Sequence, residues 1–136
     1  MKRIIEIKLN EIELLKKFIS GLNEAAKTFR YFNTREPSVI SNHLVTLLML
    51  INEQPIAYGH LEKEGRNTWL GICVLPKKSK QGIGEEMMKA LIGKAKHLGL
   101  QSIELTVDMD NEAAIHLYKK MGFRLLQEFN GCHKFQ

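Results

Sequence analysis

Three apolar segments separated by short polar turns lie in the middle of the chain, and they constrain the fold more than any other feature. The segments are HLVTLLMLI from His43, IAYGHLEKE from Ile56 and TWLGICVL from Thr68, and the turns between them read NEQP and EGRN. Each segment has the length of one strand, and turns this short allow only antiparallel neighbours. The sequence therefore predicts a three-stranded antiparallel meander over residues 43–75.

The residues before the meander predict a strand and a helix. Residues 2–8 alternate between charged and apolar side chains, which is typical of a strand. Asn10 and Glu13 have the spacing of a capping box, and apolar residues then recur at helical spacing. We expect a helix from about Glu11 to Ala26.

The residues after the meander predict a strand–helix–strand order. An apolar face that begins at Ile83 indicates a helix, and Gly99 is the residue type favoured just after a helix ends. A strand over residues 102–107, a shorter helix capped by Asp110 or Asn111, and two end strands follow. The predicted fold class is therefore α/β, with a mixed and mostly antiparallel central sheet flanked by helices.

Length and composition restrict the class of protein. The chain has 136 residues, of which 44% are hydrophobic and 26% charged, and this predicts one globular domain over residues 1–136. The net charge of +5 comes from bases interleaved with acids, which favours small anionic ligands over nucleic acid. The longest apolar stretch is too short to span a bilayer, so we expect no membrane partner.

The cysteines and histidines have no spacing typical of a metal site. Cys73 and Cys132 form no CxxC pair, and the cysteines and histidines do not have the spacing of a ligand set. This predicts no metal and no disulfide framework, in a reduced, cytoplasmic setting. Four histidines are expected at the surface: His43, His97, His116 and His133.

A glycine-containing loop precedes the second long helix. Residues 75–91 read LPKKSKQGIGEEMMKAL, so Gly82 and Gly84 stand at the start of the helix and three lysines stand just before them. Glycines let backbone N–H groups approach a ligand, and a helix N-terminus carries unpaired donors and partial positive charge. The spacing matches neither a P-loop nor a dinucleotide fingerprint. On its own the loop fits either a phosphate site or a solvated turn.

A second motif favours the ligand-binding interpretation. The stretch NEAAIHLYKKMGF places Asn111 two helical turns before Tyr118 on one helix face. A P-x-x-x-x-x-G-x-G loop, a helix, a strand and N-x-x-A-x-x-L-Y-x-x-x-G-F, in this order, resemble the GNAT superfamily of acetyl-CoA-dependent N-acetyltransferases. The resemblance covers residues 68–128, and the N-terminal half matches only in its order of elements.

The resemblance implies acetyl-CoA as co-substrate and assigns residues to it. Backbone amides of the loop would face the pyrophosphate, and backbone groups of the last meander strand would bond the pantetheine amides. Ser79 departs from the family pattern, which has Arg or Gln at that position. The implied cofactor-binding residues are Ile72, Cys73, Val74, Lys80, Gln81, Gly82, Ile83, Gly84, Glu85 and Asn111.

The implied chemistry is direct acetyl transfer in a ternary complex. Tyr118 matches the family's general acid, which donates a proton to the leaving thiolate, and the backbone N–H of Val74 would stabilise the oxyanion. Without the resemblance, a tyrosine at this helical spacing is usually half-buried in the core on one face of an amphipathic helix. Cys73 is interpreted as a buried small side chain and not as a nucleophile.

A base that accepts the amine proton is not evident from the sequence. His60 and Glu62 share one face of a strand by alternation, and Glu104, Thr106 and Asp108 share a face of a later strand. Any of them could relay a proton. Taken singly, each is interpreted as a solvent-facing polar residue.

The acceptor pocket is expected in the stretch FRYFNTREP. Phe29, Tyr31 and Phe32 would form apolar walls, and Arg30 or Arg35 would anchor an anionic group. Alternatively, the aromatic rings fill the core and the arginines lie at the surface. The expected acceptor is a primary amine on a small molecule, such as an amino sugar or an amino acid. A protein or peptide N-terminus, or a non-catalytic acyl-CoA-binding module, remain alternatives, and an exposed end strand could pair with a second copy in a homodimer.

Overall fold

A computed structural model gives the architecture of the chain and describes residues 2–22, 31–33, 35–78, 81–108, 112–129 and 132–135. The strands are β1 (Lys2–Glu6), β2 (His43–Ile51), β3 (Gln54–Glu64), β4 (Asn67–Val74), β5 (Leu105–Asp108), β6 (Leu125–Phe129) and β7 (Cys132–Phe135). The helices are α1 (Ile12–Ser20), α2 (Ile83–His97) and α3 (Glu112–Lys120). None of these helices is long and apolar enough to cross a membrane.

The predicted meander forms most of the first sheet. Its strands lie in the order β1-β2-β3-β4, and each is antiparallel to its neighbour. The bounds of β2 are those predicted, whereas β3 begins two residues earlier, at Gln54, and β4 covers Asn67–Val74 instead of residues 68–75. The prediction of a mostly antiparallel central sheet is confirmed.

A second sheet adjoins the first at a single point. It contains β5, β7 and β6 in that order, all antiparallel. The only backbone pairing between the sheets among the described residues is a parallel bridge between Trp69 and Glu104. There, the backbone N–H of Leu70 donates to the Glu104 carbonyl at 2.8 Å, and the Glu104 N–H donates to the Thr68 carbonyl at 2.8 Å. Beyond this bridge β4 and β5 separate and leave a gap.

Helices cover both faces of the first sheet. On one face, the Phe18 ring of α1 stacks on Tyr58 of β3 with the ring centroids 6.0 Å apart. On the other face, α2 lies directly on Gly59 of β3. A Cβ added at Gly59 would lie 2.8 Å from Cδ1 of Leu91 and 3.3 Å from Cε of Met87. Strand β3 is therefore held between two apolar clusters.

Helix α1 ends earlier than predicted. It ends at Ser20, and the predicted end at Ala26 is wrong, because Gly21 interrupts the helical pattern. Glycine is about 1 kcal/mol less favourable than alanine in a helix interior. The Gly21 N–H instead donates to the Phe18 carbonyl at 3.0 Å and closes a tighter last turn.

The start of α1 also differs from the prediction. Asn10 lies inside a short 3₁₀ turn over Leu9–Glu11, and no side chain caps α1 itself. The carboxylate of Glu11 accepts a hydrogen bond from the Lys8 backbone N–H at 3.4 Å. The predicted capping box of Asn10 and Glu13 is therefore replaced by a contact two residues earlier, between Lys8 and Glu11.

Helix α2 ends as its sequence predicts. Gly99 has a φ of +74°, the left-handed conformation that glycine adopts without strain. The Gly99 N–H donates to the Lys96 carbonyl, and the Leu100 N–H donates to the Ala95 carbonyl, both at 3.0 Å. This pair of bonds is a Schellman motif.

Candidate active site

A cavity of about 430 Å³ opens where β4 and β5 separate. It is bounded by β4, β5, α3 and the short 3₁₀ turn over Tyr31–Asn33. Residues from distant parts of the sequence therefore meet in one space. The residues that line it include Tyr31, Arg35, His60, Glu62, Gly71, Ile72, Thr106 and Tyr118.

The open edge of β4 presents backbone groups to the gap. The N–H of Leu70 points to β5, whereas the N–H of Leu75 points to β3, as their hydrogen bonds show. Backbone groups alternate in direction along a strand, so Ile72 and Val74 direct their N–H and C=O groups into the gap. By the same alternation, those of Cys73 face β3. Two of the three predicted pantetheine-binding residues therefore have suitable backbone groups, and Cys73 does not.

The Cys73 side chain lies in the core. It is buried in the apolar cluster on the α1 face of the sheet. Burial raises the pKa of its thiol to about 12, so the group remains protonated near neutral pH. This agrees with the prediction that Cys73 is a buried small side chain.

The start of α2 carries backbone donors without acceptors inside the helix. Gly82 stands just before the helix with a φ of +78°, and the first helical hydrogen bond runs from the Glu86 N–H to the Gly82 carbonyl at 3.1 Å. The N–H groups of Ile83, Gly84 and Glu85 precede that bond. These three donors and the positive end of the helix form an anion-binding arrangement.

Close packing brings the start of α2 to the end of β4. A Cβ added at Gly84 would lie 3.4 Å from Cδ2 of Leu117 in α3 and 4.0 Å from Cγ2 of Val74. The helix donors therefore lie next to the end of the open β4 edge. Ser79 and Lys80 lie outside the described residues, so their predicted contacts stay predictions. Gln81 and Gly82 are exposed beside the helix start.

Tyr118 lies near the end of α3 with 8% of its surface exposed, and it lines the cavity. The Gly122 N–H donates to the Lys119 carbonyl at 3.1 Å, and the Phe123 N–H donates to the Tyr118 carbonyl at 3.0 Å, which forms a second Schellman motif. The motif brings the centroid of the Phe123 ring to 6.2 Å from the centroid of the Tyr118 ring. Burial raises the pKa of Tyr118 to about 12, so its hydroxyl keeps its proton at neutral pH. Asn111 lies outside the described residues.

A β-bulge builds a polar cluster on the α1 face of β2 and β3. His43 pairs with Glu62 and Thr46 with His60, and the register shifts between them at Leu44. The extra residue turns His43 and Thr46 to the same face, where Nδ1 of His43 lies 2.9 Å from the Thr46 hydroxyl. Without the bulge, two residues three apart would face opposite sides of the sheet.

Tyr31 joins this cluster to the cavity. Its hydroxyl lies 2.8 Å from the Glu62 carboxylate, to which it donates, and 2.7 Å from Nε2 of His43. The Arg35 guanidinium lies 4.3 Å above the Tyr31 ring, and its NH1 group donates to the Tyr31 carbonyl at 3.1 Å. Phe32 instead packs edge-on against Tyr58 in the core. Two further residues predicted here lie outside the described residues: Phe29 and Arg30.

His60 is buried, and the prediction that it faces solvent is wrong. Only 3% of its surface is exposed, and its Nδ1 lies 2.6 Å from the Tyr58 hydroxyl. The ring lies over Gly71, at which an added Cβ would be 2.6 Å from Cε1 of His60. His43, predicted at the surface, is half-buried beside it. Burial lowers the pKa of His43 to about 4 and that of His60 well below its ordinary value, so both rings are neutral at pH 7.

The other polar residues proposed from alternation have different positions. Glu104 is buried at the bridge between the sheets, so the solvent-facing interpretation is wrong for it. Thr106 is exposed and lines the cavity, as that interpretation requires. The Asp108 side chain lies outside what the structure describes.

The sequence profile of the family described as "Acetyltransferase (GNAT) family" matches residues 11–123. The chain belongs to this family. The match confirms the family predicted from the glycine loop and the Tyr118 motif, and with it the fold and the enzyme class, N-acetyltransferase. Acetyl-CoA is the co-substrate typical of GNAT acetyltransferases.

Individual GNAT relatives are similar in sequence or in fold. Thialysine N-epsilon-acetyltransferase of Sus scrofa is 38% identical over 73 residues, which span 53% of this chain and 43% of that protein. The GNAT domain of S. lividans PAT superposes with a TM-score of 0.85 at 17% identity, over 98% of this chain and 88% of that one. PaiA N-acetyltransferase of Thermoplasma acidophilum, solved in complex with coenzyme A, superposes with a TM-score of 0.79 at 13% identity, over 99% and 97%. The two superpositions show the fold alone.

Proposed function

We propose that this chain is an acetyl-CoA-dependent N-acetyltransferase that acetylates a primary amine on a small molecule, as one domain over residues 1–136 in the cytoplasm. The observation that carries the proposal is a convergence. The open β4 edge and Tyr118 line one cavity, and the donors at the start of α2 lie next to the end of that edge. A thioester carrier with an amide-containing arm and a pyrophosphate matches these three features in chemistry.

Two sets of backbone groups, one in β4 and one at the start of α2, would bind acetyl-CoA. The gap-facing N–H and C=O groups of Ile72 and the C=O group of Val74 would bond the amides of an extended arm, as in strand addition at a sheet edge. The N–H groups of Ile83, Gly84 and Glu85 would bind the pyrophosphate. Lys77 and Lys78 add positive charge just before this helix start.

The reaction needs a hydrogen-bond donor for the oxygen and a proton for the sulfur. When bound, acetyl-CoA supplies a thioester carbonyl to the attacking amine. The Val74 N–H faces the gap and would stabilise the negative charge that develops on the carbonyl oxygen. Tyr118 would then donate its proton to the departing sulfur. His60 and Glu62 line the same cavity and are the groups to which the amine would release its own proton.

The acceptor side of the cavity suits a molecule that carries one positively and one negatively charged group. Glu62 and Glu64 line it and would attract an ammonium group, whereas Arg35 would hold a carboxylate or phosphate. An amino acid, or an amino sugar that bears a phosphate, meets both requirements. The Sus scrofa relative is an N-epsilon-acetyltransferase of thialysine, which supports a small amine as acceptor.

The proposed anion anchor predicts the effect of an Arg35→Gln substitution. We expect the KM for the acceptor to rise about tenfold or more, because hydrogen bonds to charged groups contribute about 1.5–3 kcal/mol. The KM for acetyl-CoA should stay the same. Steady-state kinetics of Arg35→Gln and of a matched control, Arg66→Gln in the exposed turn between β3 and β4, would test this. An unchanged acceptor KM would rule out Arg35 as the anchor.

The proposed function is tested by thiol release from acetyl-CoA over a panel of amines. The panel should contain amino acids, phosphorylated and free amino sugars, polyamines and peptides with free N-termini. Turnover is expected with a small charged amine. Tight CoA binding without turnover on any amine would instead support a non-catalytic binding module, and turnover on the peptides alone would support the N-terminal alternative.

A further inference from the structure

Two imidazoles and a carboxylate converge beside the cavity. One donor atom from each of His43, His60 and Glu62 lies within 4.8 Å of the others. All three side chains come from the paired strands β2 and β3, where His43 stands opposite Glu62 and His60 stands two residues before Glu62. Paired strands hold such a set more rigidly than loops do.

Hydroxyl groups orient both imidazoles. The Thr46 hydroxyl lies 2.9 Å from Nδ1 of His43, and the Tyr58 hydroxyl lies 2.6 Å from Nδ1 of His60. In metal sites, the ring nitrogen that does not bind the ion is regularly held by a hydrogen-bond partner. Here Nδ1 is held in both rings, and an ion bound at Nε2 would replace the hydrogen bond between Nε2 of His43 and the Tyr31 hydroxyl.

From this arrangement we propose that His43, His60 and Glu62 bind a divalent transition metal, with Zn²⁺ as the best match. Two nitrogens and one carboxylate oxygen suit Zn²⁺, Co²⁺ or Ni²⁺, whereas Mg²⁺ and Ca²⁺ require oxygen ligands. Zn²⁺ is usually four-coordinate. The Tyr31 hydroxyl, 2.7 Å from Nε2 of His43 and 2.8 Å from the Glu62 carboxylate, is in position to be the fourth ligand.

Metal binding has a consequence for the proposed function, on which this step rests. His60 and Glu62 also line the acceptor side of the cavity. An ion bound to these side chains fills the space that the amine would take. It also neutralises the negative charge of Glu62, which would otherwise attract the amine. Zn²⁺ therefore inhibits acetyl transfer, and it does so by competing with the amine and not with acetyl-CoA.

The test is a calorimetric titration of ZnCl₂ into the full chain after treatment with a chelator, repeated with Co²⁺ and followed by its visible absorption. We expect one ion per chain and a Co²⁺ spectrum typical of tetrahedral coordination. His43→Gln should abolish binding, and Thr46→Val should weaken it by about 10–100-fold, the usual effect of losing an outer hydrogen bond. His97→Gln and His116→Gln change exposed histidines and serve as matched controls that should bind as the original chain does.

The outcomes separate this proposal from the proposed function. No saturable binding, or equal affinity in His43→Gln and the original chain, overturns the metal site, provided that circular dichroism shows His43→Gln to be folded. Turnover measured in the presence of a chelator tests the transferase activity independently. If Zn²⁺ binds but the inhibition does not decrease as the amine concentration rises, competition with the amine is wrong.

Discussion

Replacing Tyr118 with phenylalanine should lower kcat for acetyl transfer by about 10²–10⁴-fold, the usual contribution of a positioned general acid. The substitution removes only the hydroxyl. The ring keeps its contact with Phe123, and the Schellman motif at the end of α3 involves backbone groups alone. The KM for acetyl-CoA should change little, because the proposed binding of this co-substrate depends on backbone groups of β4 and α2.

Steady-state kinetics, with a thermal unfolding curve for each variant, distinguish lost chemistry from lost packing. Phe123→Leu is the matched control, because it loosens the packing beside Tyr118 and keeps the hydroxyl. This control should lose stability but retain most of its kcat. A kcat within twofold of the original in Tyr118→Phe would contradict the general-acid role.

The second large effect is expected from Gly71→Ala. The new methyl group would lie 2.6 Å from Cε1 and 2.9 Å from Nε2 of His60, closer than real Cβ contacts allow. His60 cannot easily move, because it is buried and held by the Tyr58 hydroxyl, and the Tyr31 ring centroid is 4.4 Å away. We expect a loss of about 1–3 kcal/mol in the free energy of unfolding, the typical cost of overpacking, together with weaker Zn²⁺ binding.

Urea unfolding measures this loss, and Gly93→Ala in α2 is the matched control. A Cβ at Gly93 would meet no atom within 4 Å, so alanine there should stabilise the helix by about 0.4–1 kcal/mol. Combining Gly71→Ala with His60→Ala should remove most of the cost of the first substitution, because the clash disappears. If the two costs simply add, the contact between Gly71 and His60 is not the cause.

The sequence predicted the elements well where local chemistry decides the structure. The meander followed from segment length and turn length, and the end of α2 followed from Gly99. The end of α1 was wrong because the apolar spacing continued past Gly21, where the helix stops. The capping box predicted for α1 was wrong because the hydrogen bond forms two residues earlier, between the Lys8 N–H and the Glu11 carboxylate.

The candidate site was predictable only in part, because it depends on strand register. Three consecutive residues of β4 were assigned to the pantetheine, but only Ile72 and Val74 direct their backbone groups into the gap. Which alternate residues do so is known only from the pairing of Leu70 with Glu104. The cluster of His43, His60 and Glu62 was missed for the same reason. Ligand spacing along the chain does not reveal residues that meet across two strands, and the bulge at Leu44 reverses the face that simple alternation gives to His43.

The bridge between the two sheets also affects the chain before any ligand is bound. Beyond Trp69 and Glu104 the β4 edge has backbone donors and acceptors that face no neighbouring strand among the described residues. Such an edge can pair with another polypeptide and start aggregation. A ligand that lies along it supplies the missing neighbour and favours the folded, dispersed chain by mass action. The supply of acyl donor would then govern the lifetime of the folded protein as well as the rate of its reaction.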